Sequence, residues 1–288
     1  MKLLTFDIED WFHLLDTDAV NSIEFWSHYE SRVEENTEYI LNALKTKNLR
    51  GIFFILGWIA EHYPRLVERI HNDGHIIGTH SYAHGLVYEQ SLEEFKSDLK
   101  RSMDIISQIT QQPTIHYRAP GFSVTKETPW VFDTLAECGI QYDFSVFNAK
   151  RAHGGFTNGD FRTPFIINTA YGDIIEFPLS YIKILKQKFV YSGGGYFRIL
   201  PLSFINQFCR FAQYANFYFH PRDFDPSQPI LQGLGLRRHF KSYVGLRSAK
   251  SKFENLLSAH DFTDPESIYN IDRSRMKKFD YMELLNAG

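Results

Sequence analysis

Two histidines four residues apart, His80 and His84, are the first candidates for chemistry in this sequence. They follow the apolar pair Ile76–Ile77 and a glycine, where a buried strand would end. On a turn of helix, both imidazoles would share one face and could bind one metal ion. The spacing alone is a weak indication, because twelve histidines in 288 residues give such a pair about 0.5 times by chance. His71 and His75 have the same spacing around a predicted turn.

Acidic residues follow the first apolar run of the chain. Residues 3–6 are predicted to form a short buried strand, and Asp7, Glu9 and Asp10 come directly after it. The carboxyl ends of strands are where α/β barrels hold their catalytic groups. The alternative is the solvated start of a helix, but three acids in four residues exceed what a helix cap requires.

The elements that must position these residues alternate between strand-like and helix-like segments, about six or seven times. This rhythm predicts an α/β fold with a parallel sheet, best explained by a barrel of about seven strands. Polar residues recur directly after the predicted strands, and such positions meet on one face of a barrel. These residues are Asp7, Glu9, Asp10, His80, His84, Arg118, Asp143 and His220.

The gathered residue types fit metal-assisted hydrolysis of an amide. A carboxylate with two histidines forms a three-ligand site for a divalent ion, which polarises a carbonyl and lowers the pKa of a bound water. A second carboxylate, oriented by an arginine, could accept the proton of that water. A histidine across the site, with an aspartate beside it to raise its pKa, could protonate the leaving amine.

Composition narrows the remaining classes of protein. The chain is 43% hydrophobic and 23% charged with a net charge of −3, so we expect a globular protein that binds no nucleic acid. Cys138 and Cys209 lie in apolar, helical-looking segments and are expected to be free thiols. Neither a signal peptide nor a membrane span is predicted, so we expect a cytoplasmic protein, at most peripheral to the inner membrane.

The order of the motifs resembles that of the polysaccharide deacetylase family, the NodB-like carbohydrate esterases of family 4. The matching motifs are Asp7-Ile8-Glu9-Asp10, Thr79-His80-Ser81-Tyr82-Ala83-His84, Arg118-Ala119-Pro120-Gly121, Tyr142-Asp143-Phe144-Ser145 and His220. Segments 7–13, 193–198 and 220–226 resemble one bacterial branch, which is associated with exopolysaccharide biosynthesis and export.

The resemblance implies a distorted (β/α) barrel of the NodB-homology type that removes N-acetyl groups from sugars. The roles it implies are Asp7 as catalytic base, Arg118 as the residue that tethers this base, His220 as general acid and Asp143 as the acid paired with His220.

Two further positions are expected to contact substrate. The same resemblance implies that Gly121 falls where a backbone N–H helps hold the oxyanion. Tyr196 follows the glycines 193–195, a loop expected to let a long substrate pass.

His80 and His84 match the metal-binding histidines of the family, with Zn²⁺ the expected ion and Co²⁺, Ni²⁺ or Fe²⁺ the alternatives. Most members have two adjacent acids, the base and then a metal ligand, whereas here the acids run Asp7, Glu9, Asp10. Strand alternation puts Glu9 on the side of Asp7, but Asp10 could turn inward where the strand ends. We expect Asp10 as the third ligand, with Glu9 as the alternative.

We expect a single polysaccharide-deacetylase domain over residues 1–288, with the catalytic motifs within 6–226 and a C-terminal helical extension over about 227–288. The expected substrate is an acetylated amino-sugar polymer or oligosaccharide: a lipid-linked intermediate, a growing exopolysaccharide or a peptidoglycan fragment. Exopolysaccharide-assembly proteins are candidate partners.

Two other classes of function remain open. One is a metal-free amidohydrolase acting on a small cyclic amide or ureide, although both histidines and two spare acids argue against it. The other is an inactive carbohydrate-binding relative. That class would be expected to lack the base or the acid, whereas Asp7 and His220 are both present.

Overall fold

The computed structural model describes residues 1–15, 22–128, 130–149, 153–156, 159–184, 187–231, 233–280 and 283. A nine-stranded sheet and a separate two-stranded hairpin form its β-structure. The strands are β1 (Lys2–Ile8), β2 (Ile52–Ile55), β3 (Ile76–Thr79), β4 (His116–Tyr117), β5 (Tyr142–Asp143), β6 (Phe165–Thr169), β7 (Gly172–Glu176), β8 (Tyr181–Ile184), β9 (Gln187–Val190), β10 (Ala215–Phe219) and β11 (Lys278–Asp280).

The order of strands in the large sheet is β10-β1-β2-β3-β4-β5-β7-β6-β11. The seven strands from β10 to β7 pair in parallel, β6 runs antiparallel to β7, and β11 is parallel to β6. The α/β fold and the run of about seven parallel strands are therefore as predicted. Among the described strands, β10 and β11 form no ladder with each other, so the barrel is open between them.

Helices follow most of the parallel strands and cover the outside of the sheet. They are α1 (Ile23–Trp26), α2 (Val33–Thr46), α3 (Gly57–His62), α4 (Pro64–Asn72), α5 (Leu92–Thr110), α6 (Val131–Glu137), α7 (Gly194–Ile199), α8 (Leu202–Phe211), α9 (Leu236–Tyr243) and α10 (Leu246–Ala259). Short 3₁₀ segments are Val87–Glu89, Pro120–Phe122, Pro221–Phe224, Pro265–Asn270 and Arg273–Arg275. None of the described helices is both long enough and apolar enough to cross a bilayer.

Local sequence signals explain several element boundaries. Ser91 begins α5 with the capping box that the sequence predicts: its hydroxyl accepts the Glu94 N–H at 3.3 Å, and Glu94 Oε2 accepts the Ser91 N–H at 2.8 Å. The apolar run of β2 is buried on both faces, as expected for a strand between helices and barrel interior. Both cysteines, Cys138 and Cys209, are free thiols.

Strand alternation in β1 places the first acid inside the barrel. Phe6 and Ile8 pack against the helices in the cluster outside the sheet. Leu3 packs against residues of other strands in the cluster inside the barrel. Thr5 and Asp7 follow Leu3 at intervals of two and therefore point to the same inner face. The side chain of Asp7 is thus fixed in the interior, at the carboxyl end of its strand.

The C-terminal part of the chain differs from the predicted helical extension over about 227–288. It contains α9 and α10, but β11 then pairs with β6 in the register Lys278↔Ile166. The segment thus also contributes an edge strand to the main sheet.

Candidate active site

Acids and histidines converge at the carboxyl ends of three strands, β1, β3 and β10. They line a cavity of about 170 Å³ whose polar walls include Asp7, Glu9, His13, His80, His84 and His220. Of the eight strand-end residues that the sequence predicted to meet on one face, those that line this cavity are Asp7, Glu9, His80, His84 and His220.

Glu9, His80 and His84 form a possible metal site. Each offers a ligand atom, and these three atoms all lie within 4.8 Å of one another. The Nδ1–H of His80 donates to the carbonyl of Arg118 at 2.8 Å, which leaves Nε2 as the free ligand atom. Two imidazole nitrogens and one carboxylate oxygen are a donor set that suits Zn²⁺ and other divalent transition metals.

The charge states of these three side chains also suit a metal. Burial lowers the pKa of His80, and burial lowers the pKa of His84 to about 4, so both imidazoles are neutral near pH 7. Burial alone would raise the pKa of Glu9, but His84 and His220 outweigh that effect and lower it. Glu9 Oε2 lies 3.1 Å from His84 Nε2.

Asp10, which we expected as the third ligand, faces away from the histidines. Its Oδ2 accepts hydrogen bonds from Ser31 Oγ at 2.7 Å, Arg32 N at 2.8 Å and Val33 N at 3.1 Å. The carboxylate therefore satisfies free N–H groups at the start of α2. The geometry therefore favours Glu9, the alternative, over Asp10 as the candidate third ligand.

The segment that carries the two histidines is a loop and not the turn of helix considered from the spacing. Ser81 and His84 both have left-handed backbone conformations, with φ of 65° and 55°. The carboxylate of Asp98, on α5, holds the loop by accepting the N–H groups of Tyr82 at 2.7 Å and Ala83 at 2.8 Å. Sequence reasoning missed Asp98, because no local pattern connects it to this loop.

Arg118 is placed against Asp7, as the resemblance implies. Its Nη1 donates to Asp7 Oδ1 at 2.6 Å, its Nη2 to Thr5 Oγ1 at 2.8 Å and its Nε to the Phe144 carbonyl at 3.3 Å. Both charged side chains are buried. Because Arg118 binds Oδ1, the other carboxylate oxygen of Asp7, Oδ2, faces His220, whose Nε2 lies 3.8 Å away.

His220 lies between carboxylates on both sides. Its Nε2 is 3.0 Å from Glu9 Oε1, and its Nδ1 is 3.0 Å from Asp223 Oδ2. Burial alone would lower the pKa of His220, but Glu9 and Asp223 raise it to about 10. Burial would raise the pKa of Asp223, but Arg198 and His220 lower it to about 2. The imidazole is therefore held as a cation by these neighbours.

Asp143, the expected partner of His220, lies elsewhere in the barrel. It accepts a hydrogen bond from Ser145 Oγ at 2.6 Å and pairs in strand register with Glu176. Asp223 takes the expected position because the 3₁₀ turn after His220 returns residue i+3 to the histidine. Asp223 also accepts the His220 N–H at 2.9 Å and so caps the start of this turn.

Arg198 connects the pair of His220 and Asp223 to the C-terminal part of the chain. Its Nε lies 3.0 Å from Asp223 Oδ1. Its other nitrogens donate to the carbonyls of Lys241, Ser242 and Val244 at 2.9, 3.1 and 2.8 Å. The junction of α9 and α10 therefore helps to hold Asp223 in place.

The two expected substrate contacts are placed differently. Gly121 lines the cavity with φ of +60°, and a Cβ there would lie 2.7 Å from Leu15 Cδ1. A side chain at Gly121 would be both strained and crowded. Tyr196 is 43% exposed on α7, whereas its neighbours Gly195 and Arg198 line the cavity. The structure thus brings Gly121, but not Tyr196, to the site.

His13 forms part of the cavity wall. Its Nδ1 accepts the Asp10 N–H at 2.9 Å, and its ring packs against Trp26 at 4.2 Å and Phe12 at 4.5 Å. Its Nε2 is buried without a hydrogen-bond partner among the described residues.

Comparison with known families divides the chain at the end of β5. Residues 3–142 match the model for polysaccharide deacetylases, and residues 144–270 match a domain of unknown function, DUF3473. The candidate metal ligands, Asp7 and Arg118 lie in the first region, whereas Arg198, His220 and Asp223 lie in the second. Neither matched region contains the whole site.

Two curated relatives are deacetylases of amino-sugar polymers by name. The chain is 34% identical over 86 residues to a peptidoglycan-N-acetylglucosamine deacetylase of Bacillus cereus, which covers 30% of this chain and 31% of the relative. It is 26% identical over 155 residues to chitin deacetylase 1 of Saccharomyces cerevisiae, covering 54% and 49%. The chain therefore matches about a third to a half of the length of these relatives.

A solved structure supports the fold. The crystal structure of a protein from Mycobacterium smegmatis assigned to the polysaccharide deacetylases superposes with a TM-score of 0.62 and 18% identity, covering 96% of this chain and 91% of that chain. At this identity the likeness shows a shared fold.

The first prediction concerns the third metal ligand. Glu9→Ala is expected to lower bound zinc at least about tenfold, because it removes a side chain of the three-ligand set. Asp10→Ala is expected to keep the metal but to lose about 1–2 kcal/mol of stability, because the N–H groups at the start of α2 lose their acceptor. Metal content after dialysis and urea unfolding measure the two effects, with His80→Ala as the positive control. Zinc retained by Glu9→Ala but lost from Asp10→Ala would restore the original expectation.

The second prediction concerns the buried pair of Asp143 and Glu176. Burial raises the pKa of both carboxyl groups, and Asp143 raises that of Glu176 further. Each has one oxygen without another partner among the described residues, so a proton on Glu176 can bridge them. The folded protein binds this proton more tightly than the unfolded chain. The contribution to stability is thus complete below the ordinary glutamate pKa and is lost as pH rises toward the raised value.

Glu176→Gln stays neutral at every pH and can donate its amide to Asp143. Its melting temperature relative to the wild type is therefore expected to rise between about pH 5 and pH 8, by roughly 3 °C for each unit of pKa difference. Thermal unfolding across this range tests the effect, with the exposed Glu127→Gln as control. A constant difference between Glu176→Gln and the wild type would show that no proton is held there.

Proposed function

We propose that this chain, which belongs to the polysaccharide deacetylase family through residues 3–142, removes N-acetyl groups from the amino sugars of a bacterial polysaccharide or its lipid-linked precursor. The observation that carries the proposal is the convergence of three groups on one cavity. These groups are Asp7 with Arg118, His220 with Asp223, and the ligand set of Glu9, His80 and His84.

The ligand set would hold a divalent ion, with zinc the expected metal. When bound, the ion supplies Lewis-acid polarisation of the amide carbonyl and makes a neighbouring water more acidic. The burial of Glu9, His80 and His84 excludes bulk water from these side chains, which strengthens their interactions with charge.

Asp7 acts as the base at Oδ2. Arg118 holds Oδ1, so the second oxygen is the one left to take a proton from the attacking water. Since the guanidinium is also bonded to Thr5 and to the Phe144 carbonyl, it cannot turn away without breaking buried hydrogen bonds. The base is therefore positioned before substrate binds.

His220 acts as the acid at Nε2. Asp223 holds Nδ1, so the proton available to the cavity is the one on Nε2. As water oxygen adds to the carbonyl carbon, Asp7 takes one proton from the water. As the C–N bond breaks, His220 gives a proton to the leaving nitrogen, and acetate and a free amine result. The backbone N–H of Gly121 is a candidate donor to the carbonyl oxygen.

The third prediction tests the reaction itself. The protein loaded with zinc is expected to release acetate from N-acetylglucosamine oligomers, to lose this activity on treatment with dipicolinate, and to regain it with added Zn²⁺. Acetate is measured enzymatically and the freed amines by a fluorogenic reagent. Acetate release that survives complete removal of metal would favour a metal-free amidohydrolase. If oligomers bind but release no acetate, the chain is an inactive carbohydrate-binding relative.

The fourth prediction separates the two aspartates considered as partners of His220. Asp223→Asn is expected to lower kcat by about 10²- to 10⁴-fold with a small change in KM, because the imidazole loses the carboxylate that orients it. Asp143→Asn keeps an acceptor for Ser145 and is expected to affect stability more than kcat. A loss of kcat in Asp143→Asn as large as that in Asp223→Asn would return Asp143 to the catalytic set.

A further inference from the structure

The segment that contains α9 is strongly basic in a chain that is otherwise slightly acidic. Residues 226–253 include six lysines and arginines and no aspartate or glutamate, whereas the whole chain has a net charge of −3. The basic residues are Arg237, Arg238, Lys241, Arg247, Lys250 and Lys252. Such a local excess of positive charge attracts an anionic surface.

Large apolar side chains are exposed within this basic segment. Leu236 is 91% exposed and Phe240 is 57% exposed, and they lie one helical turn apart on the same face of α9. Ile230, shortly before the helix, is 65% exposed. A helix with Leu and Phe on one face and Arg and Lys beside them is typical of a segment that lies in the interface of a lipid bilayer.

The inner side of the same helix reaches the active-site cavity. Arg238, Lys241 and Ser242 line that cavity. The carbonyls of Lys241 and Ser242 also accept hydrogen bonds from Arg198, which is paired with Asp223. A surface bound through Leu236 and Phe240 would therefore lie next to the opening of the cavity.

We propose that α9, with Ile230 before it, docks on an anionic phospholipid surface. Exposed apolar side chains would enter the interface, and the flanking cations would bind the anionic head groups. A second copy of the chain is a poorer occupant, because a twofold contact would bring two of these basic segments together. Lipid binding does not depend on the reaction. The consequence that the cavity accepts a lipid-linked sugar does rest on the proposed function.

The test is flotation of the full-length chain with vesicles. Binding is expected to vesicles of phosphatidylcholine with phosphatidylglycerol, to weaken with salt, and to be much weaker on phosphatidylcholine alone. The double variant Leu236→Asp with Phe240→Asp is expected to lose roughly tenfold or more in the partition coefficient. Arg237→Gln with Arg247→Gln should weaken binding to the anionic vesicles only.

The matched control is Phe211→Asp, which changes a 77% exposed aromatic residue on α8 and should bind as the wild type does. Thermal unfolding checks that the double variant is folded, as expected for two side chains that already face water. No binding to anionic vesicles overturns the proposal, as does equal binding to neutral ones or an equal loss in Phe211→Asp. A dimer that the double variant disrupts, without vesicle binding, would assign the face to self-association instead. Acetate release plays no part in this readout, so failure of the deacetylase assay would leave the lipid result intact.

Discussion

The hydrogen bonds of the buried Arg118 guanidinium are the interactions on which the rest of the site depends. Its three nitrogens bind Asp7, Thr5 and the Phe144 carbonyl, and its own carbonyl accepts the Nδ1–H of His80. One residue thus fixes the orientation of Asp7, the proposed base, and the tautomer of His80, a candidate metal ligand. A charge that is completely buried is costly unless it is paired, and removing one partner of such a pair typically costs about 3–5 kcal/mol. The site and the stability of the barrel are therefore coupled.

The pairing of β1 with β10 unites the two family regions into one site. The register Phe6↔Phe219 places the next residue of each strand, Asp7 and His220, side by side at the carboxyl ends. The region of unknown function thus supplies the proposed acid, while the region that matches the deacetylase model supplies the proposed base. In the described residues β10 is an edge of the sheet. It pairs with β1 along its length, and Arg198 contacts Asp223 in the turn that follows it. The second region is best understood as the completion of the barrel.

Sequence patterns could predict the elements and the positions at strand ends, because both depend on periodicity and on burial along one segment. The positions of Asp7, His80 and Arg118 at strand ends follow from such patterns. The pairing of Arg118 with Asp7 is an implication of the family resemblance. The partner of His220 could not be predicted in this way. Asp143 lies opposite Glu176, which is far away in the sequence. Only the register of β5 with β7 shows that the Asp143 carboxyl group already has Glu176 as its partner. The outward direction of Tyr196 could not be predicted from local sequence either. The burial of Phe197 and Arg198 determines which face of α7 is turned to solvent, and Tyr196 lies on that face.

The three acids at the end of β1 lie in different surroundings because the strand stops between them. Asp7 is still within the strand and points inward by alternation. Beyond Ile8 the backbone turns, with the Glu9 N–H donating to the Asp7 carbonyl at 3.1 Å, and Glu9 remains on the side of the histidines. Asp10 then meets the free N–H groups of Arg32 and Val33 and is held by them. Those groups are more than twenty residues away in sequence, so no local pattern could show that Asp10 was already engaged. Asp10 is thus held by backbone N–H groups, so Glu9, which lies beside the histidines, is the acid left as the candidate metal ligand.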